Sequence, residues 1–277
     1  MPQPATSSSP SSSPSRRSSS SVSRSVPAVR GAVLTYQALV RQVVTPGKLV
    51  ALGGLGALMV LVGWLVGIEG ADPGDPPPAS ELLHDGATFA DGFGLVLLVP
   101  IVSLVFGCSV LGEAREDSTL VYLWLRPMGR FPIAVGAAAA AATAALPLAM
   151  IPTALGGWLA ANRVAGSADL VIGALAASAL GTFAYTSLFV LVGLLLRKPI
   201  MWGLGYVLLW EGLAVGLGEF AVRLSLRGYI KSLLNRIAEL DTGFNAYSSA
   251  TSLIVLAGVS VACLGLATLR LSSIDVA

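Results

Sequence analysis

Long apolar runs alternate along this chain with short polar or charged stretches, and the lengths of the runs are its first message. Residues 49–68 hold no charged side chain. Twenty residues at ~1.5 Å per residue reach ~30 Å, the thickness of a bilayer's hydrocarbon core. Comparable runs occupy residues 94–112, 133–160, 169–196, 200–217 and 249–269. The pattern therefore predicts an all-α integral membrane protein with six transmembrane helices. Lys48 and Glu69 bracket the first run. Pro100 predicts a kink in the second, and Pro147 and Pro152 predict a bend in the outer half of the third. Arg197-Lys198-Pro199 is a tight basic turn between the fourth and fifth.

Two further stretches have helical periodicity without enough apolar length to cross. In residues 29–44, Val33, Tyr36, Val40 and Val43 share one helical face, with Arg30, Gln37 and Arg41 off it. In residues 219–247, Leu226, Ile230, Leu233, Ile237 and Leu240 form a stripe, with Arg223, Arg227 and Lys231 recurring beside it. Both read as interfacial amphipathic helices. The competing reading of the second is a cytoplasmic segment with the spans miscounted. Residues 1–28 are rich in Ser, Pro and Arg and bury too little surface to fold, which predicts a disordered cytoplasmic tail. No apolar core follows the early arginines, so the stretch does not read as a secretory signal peptide. The remaining 29–277 form one six-span domain.

Composition agrees: 55% of the 277 residues are hydrophobic and only 12% charged, against ~25% for a soluble domain. The charges report topology. Residues 69–91 carry six acidic side chains and no Lys or Arg, the mark of a translocated loop. Of the lysines and arginines, twelve fall on the side holding both termini and five on the other. That distribution predicts that both termini are cytoplasmic, and the expected location is a bacterial cytoplasmic (inner) membrane. Flipping the 219–247 segment would strand the acidic loop inside.

Candidate chemistry is sparse. No phosphate-binding G-x-x-x-x-G-K-[S/T] loop is present. His84 is the only histidine, and Cys108 and Cys263 both lie within apolar runs, so neither a His-based metal site nor a disulfide framework is expected. No enzyme is expected of the chain alone, and a net charge of +2 says nothing for nucleic acid. Glu211 stands out as an ionisable group ~16 Å into the fifth run. A lone carboxylate there costs roughly 3 kcal/mol unless protonated, paired or hydrated. It lines a translocation path or a dimer interface, or it is a structural group bonded to a neighbouring backbone; the sequence leaves both open.

The most charged stretch is Glu113 to Arg130, E-A-R-E-D-S-T-L-V-Y-L-W-L-R-P-M-G-R. Glu113, Arg115, Glu116 and Asp117 crowd its leading turns, Leu120, Val121, Trp124 and Leu125 share a face, and Pro127 ends the helix. The plain reading is a charged loop lying on the membrane surface. However, E-x-R-E-D-S-T-L-x-Y-L-x-x-R-P-x-x-R before a long apolar span resembles the loop between spans two and three of ABC transporter permease subunits of the type-2 exporter class. The spans on either side, the helix at 29–44 and the Trp210-Glu211 pair add to the likeness, which covers roughly residues 29–269.

The resemblance implies that 113–130 is a coupling helix docking on a separate ATP-binding subunit, with Glu113, Arg115, Glu116, Asp117, Thr119, Leu120, Leu123, Trp124, Arg126 and Pro127 at the interface. It implies a homodimer of permease copies, ATP and Mg held by the partner, and outward transport of a substrate. Drugs, peptides, lipids and polysaccharides are all carried by this class, and no residue selects among them. The alternative is a stand-alone secondary transporter or membrane scaffold. A single intramembrane glutamate and no evident internal repeat weigh against a coupled carrier.

Overall fold

A backbone in hydrocarbon has no water to bond, so apolar runs of this length must satisfy their own N–H and C=O groups, and helices do so locally. The computed structural model describes residues 28–69, 77–116, 129–162, 164, 166–211, 225–240 and 247–273. Among these there is no β-strand. The helices are α1 (Ala28–Val43), α2 (Pro46–Glu69), α3 (Ala79–Phe89), α4 (Val99–Glu116), α5 (Arg130–Ala160), α6 (Ser167–Leu195), α7 (Pro199–Gly205), α8 (Leu226–Ile237) and α9 (Ser249–Ser273). Two π-helical stretches, Ala90–Leu98 and Tyr206–Glu211, continue α3 into α4 and extend α7.

Five helical segments are long and apolar enough to cross a membrane: Pro46–Ile68, Ala79–Gly112, Arg130–Ala160, Ser167–Leu195 and Ser249–Ser273. The fifth expected span, 200–217, is described as far as Glu211 and forms the shorter apolar helix Pro199–Trp210. Its remainder, residues 212–217, lies outside the described residues.

The α3–α4 rod and α6 run parallel and form the centre of the bundle. Ser103 Oγ donates to Thr182 O at 3.5 Å, and Cys108 Sγ approaches Phe189 O at 3.6 Å a turn further along. Phe106, Leu111, Tyr185, Phe189 and Leu194 are fully buried in this seam. Tyr185 stacks on Phe189 with centroids 6.0 Å apart, and Phe189 meets Tyr206 edge-on at 6.4 Å. Antiparallel α5 packs beside them through its alanine run: Ala137, Ala140, Ala141 and Ala145 are wholly buried. Small side chains there let the helices approach closely. By contrast, α2 and α9 sit at the edge, with Leu58, Leu61, Trp64, Ile254, Val261 and Leu269 turned outward.

Three sequence expectations change. The second apolar helix begins at Ala79 rather than near residue 94. Its first turns are amphipathic: Leu82, Gly86, Ala87, Phe89 and Ala90 face the bundle, and Glu81, His84 and Asp85 face away. Of the acids that marked residues 69–91 as a loop, Glu81 and Asp85 lie on the outward face of a helix and Asp91 is buried. Pro78 sits at its N-cap and Glu81 in its first turn, both suited to a helix start.

The second change is in α1, which buries Gly31, Thr35, Leu39 and Val43, while Val33 is 48% exposed. The contact is set by Gly136, six residues into α5. A methyl built there would meet Ala32 O at 2.7 Å and Thr35 Cβ at 2.8 Å, so α1 turns its smallest side to α5. Thr35 Oγ1 donates to Gly31 O at 2.9 Å, which satisfies the hydroxyl in the contact.

Finally, α8 is built into the bundle rather than resting on its surface. Ile230 packs against Gly181 and Leu234 against Gly173, so α8 climbs along α6 with its start the deeper end. Buried Ser232 and Asn235 accompany the apolar stripe inward. Neighbouring helices supply the apolar surroundings that the sequence pattern assigned to lipid.

Candidate functional site

The site begins with Asp91 in the first turn of the π-helical stretch. Pro100 follows the stretch. It offers no N–H to the carbonyl four residues back, and its ring collides with that carbonyl in a regular α-turn. The wider turns relieve this, and the Val99 N–H bonds Gly94 O, five residues back. Such widened turns also re-aim side chains. Asp91 points into the bundle, 6% exposed and twelve residues from the start of the helix, or ~18 Å along it.

Two cations from α8 meet it. Arg227 Nη2 donates to Asp91 Oδ2 at 3.3 Å, and Lys231 Nζ lies 3.0 Å from the same oxygen. Arg227 and Lys231 are one helical turn apart, which brings both to a single carboxylate. Their side chains are 16% and 24% exposed. The other carboxylate oxygen, Oδ1, is buried with no hydrogen-bond partner among the described residues.

Several contacts fix α8 in this pose. Ser232 Oγ donates to Gly228 O at 2.7 Å and accepts the Tyr247 N–H at 3.2 Å. Tyr229 stacks on Tyr247 with centroids 4.8 Å apart. The chain leaving α8 is thus tied back to it before α9 begins. Ile230 lies level with Gly181, fourteen residues past Ser167, or ~21 Å along α6. The cluster is therefore well inside the apolar length of the bundle, where isolated charges are costly and paired ones persist.

A row of hydroxyls continues along α6. Ser178 and Ser187 are buried and donate to carbonyls of their own helix, Ala174 O at 2.6 Å and Phe183 O at 2.9 Å. Thr182 Oγ1 and Thr186 Oγ1 are buried without a partner among the described residues. The chemistry on offer is recognition and conformational control. Separating α8 from the α3–α4 rod breaks two ion pairs at once. Among the described residues, no three His, Cys, Asp or Glu side chains gather to hold a metal ion.

The residues singled out from the sequence lie elsewhere. Glu113, Arg115 and Glu116 are in the last turn of α4. Asp117, Thr119, Leu120, Leu123, Trp124, Arg126 and Pro127 lie outside the described residues. Glu211 closes the second π-helical stretch. Sequence reasoning missed Asp91, which it placed in an outer loop, and set Arg227 and Lys231 in the membrane interface. The available signal was the i, i+4 spacing of the two cations and the uninterrupted apolar run after Asp91. Their pairing joins positions 136 and 140 residues apart, beyond the reach of any local pattern.

These features define an all-helical, multi-pass membrane protein with a buried charge cluster between two of its helices. No protein-family model matches the chain, and neither a curated protein nor a solved structure matches it.

Proposed function

We propose that the chain is the membrane-spanning permease subunit of an ATP-driven ABC exporter of the type-2 class. It works as a homodimer, with ATP and Mg held on a separate ATP-binding subunit and the 113–130 segment as the coupling element. The observation that carries this reading is the position of α1. It packs across the start of α5 at Gly136, at the same end of the bundle where α4 finishes at Glu116 and α5 begins at Arg130. An amphipathic helix at the end where the chain leaves α4 and re-enters α5 suits a docking face, which combines a polar rim with apolar anchors.

In this reading the substrate moves outward between permease copies as the partner subunits close on ATP. The Asp91–Arg227–Lys231 cluster holds α8 against the second membrane-crossing helix inside the bundle. Glu211 contributes to the path or to the dimer interface. A neighbouring reading frame should encode a Walker-motif ATPase, and co-expression with that ATPase tests the proposal. The two should co-purify, and the chain should stimulate ATP hydrolysis.

One observation favours the second reading, a stand-alone transporter. The buried Asp91 and the two widened helical stretches are features that ion-coupled carriers use. Substrate movement driven by an ion gradient in vesicles containing this chain alone would establish that reading and overturn the first.

A further inference from the structure

At the Glu116–Arg130 end of the bundle, a cleft of about 400 Å³ opens between α4 and the turn into α7. Cys108, Ser109 and Gly112 form one wall, and residues 197–201 form the other. Arg197 and Lys198 stand at it side by side and exposed, and neither side chain forms an ion pair among the described residues. Adjacent cations without an ion-pair partner among the described residues, at a polar boundary, favour a multivalent or diester anion.

The other half of the cleft is apolar and faces outward. Ile200, Met201 and Trp202 are 53%, 62% and 61% exposed, and Leu204, Leu208 and Leu209 carry the exposed apolar surface further along the same helix. A free anion makes no use of that surface. A molecule with an anionic head and acyl chains uses both parts, with its phosphate at Arg197 and Lys198 and its chains along residues 200–209. Basic pockets between membrane helices at the cytoplasmic face bind such lipids, and each Lys or Arg near the surface strengthens the attraction about fivefold. Ser109 does not compete for the site, since its hydroxyl donates to Phe106 O at 3.4 Å.

The geometry points to a binding site for one anionic phospholipid in the cleft between Gly112 and residues 197–201. The site is separate from the Asp91 cluster and does not depend on the chain having an ATPase partner.

The test uses the full chain reconstituted in vesicles of phosphatidylcholine containing phosphatidylglycerol. After extraction in mild detergent, retained lipids are identified by mass spectrometry. The wild type should retain phosphatidylglycerol well above its share of the vesicle. Arg197→Gln/Lys198→Gln should lower that enrichment about thirtyfold. Arg270→Gln, which removes an exposed cation outside the cleft, should leave it unchanged. Equal retention by the double variant, or equal loss in Arg270→Gln, would overturn the assignment. Displacement of the lipid by inorganic phosphate at matched phosphate concentration would also overturn it, because the site would then read the free anion.

Discussion

Lys231 Nζ lies 3.0 Å from Asp91 Oδ2, across 140 positions of sequence and between helices that share no local contact along the chain. Arg227 reaches the same oxygen at 3.3 Å, so one carboxylate answers two cations. A buried pair of this kind contributes little net stability compared with an apolar replacement. Removing one member, however, is costly. The loss is therefore asymmetric. Asp91→Asn takes the shared carboxylate from two half-buried cations and should destabilise the folded protein by about 3 kcal/mol. Lys231→Gln leaves the Arg227 pair in place and should cost less than half as much. Thermal unfolding in detergent reads both. A double-mutant cycle between Asp91 and Lys231 with no coupling energy would mean that the two charges do not interact.

Topology rests on the uneven distribution of Lys and Arg. The native cysteines, Cys108 and Cys263, are buried and should stay silent to a thiol reagent. A cysteine placed at Asp75 should react with an impermeant reagent added outside the cell, and one at Arg197 should react only after permeabilisation. Labelling of both from one side would contradict an arrangement in which these positions lie on opposite faces.

Gly136 admits α1 to the bundle. Gly136→Val places a branched side chain where Ala32 O and Thr35 already stand, at an overpacking cost of ~1–3 kcal/mol. That strain falls on one contact, so α1 should lift away while the membrane-crossing helices stay folded. Limited proteolysis near Arg30 and Arg41 should accelerate several-fold, with thermal unfolding of the remainder little changed. Under the permease reading, the same variant should also lower ATPase stimulation.

For the 113–130 segment, Leu123→Asp and Trp124→Asp place a charge on the apolar side of the proposed docking face. Each should abolish most of the chain's stimulation of a partner ATPase with membrane insertion intact. Arg126→Ala should do less, because it adds no charge to the apolar side. Full stimulation and normal co-purification by both Asp variants would reduce the segment to a surface loop. Within the same complex, Glu211→Gln should depress transport without lowering protein abundance if that carboxylate serves the path.

Apolar runs determined most of the helices without help from tertiary contacts. A stretch such as 49–68 must be helical and membrane-crossing because no other arrangement pairs its backbone in hydrocarbon. The same local argument located the basic turn at 197–199 and the amphipathic periods of α1 and α8. What it could not decide was the surroundings of each amphipathic face. Residues 69–91 read as an outer loop because six acids and no Lys or Arg sit there, and only packing against α5 makes Leu82, Gly86 and Ala90 a buried stripe. The pattern put Val33 on the apolar face of α1, but it could not show that Gly136 sets the closest approach and brings Gly31 and Thr35 to α5. Arg227 and Lys231 satisfied the rule for a helix lying on lipid equally well as that for one packed in protein, since either setting offers an apolar side and a polar edge. The choice was made by Asp91, and a charge's partner is fixed by distance in space rather than by position in the chain.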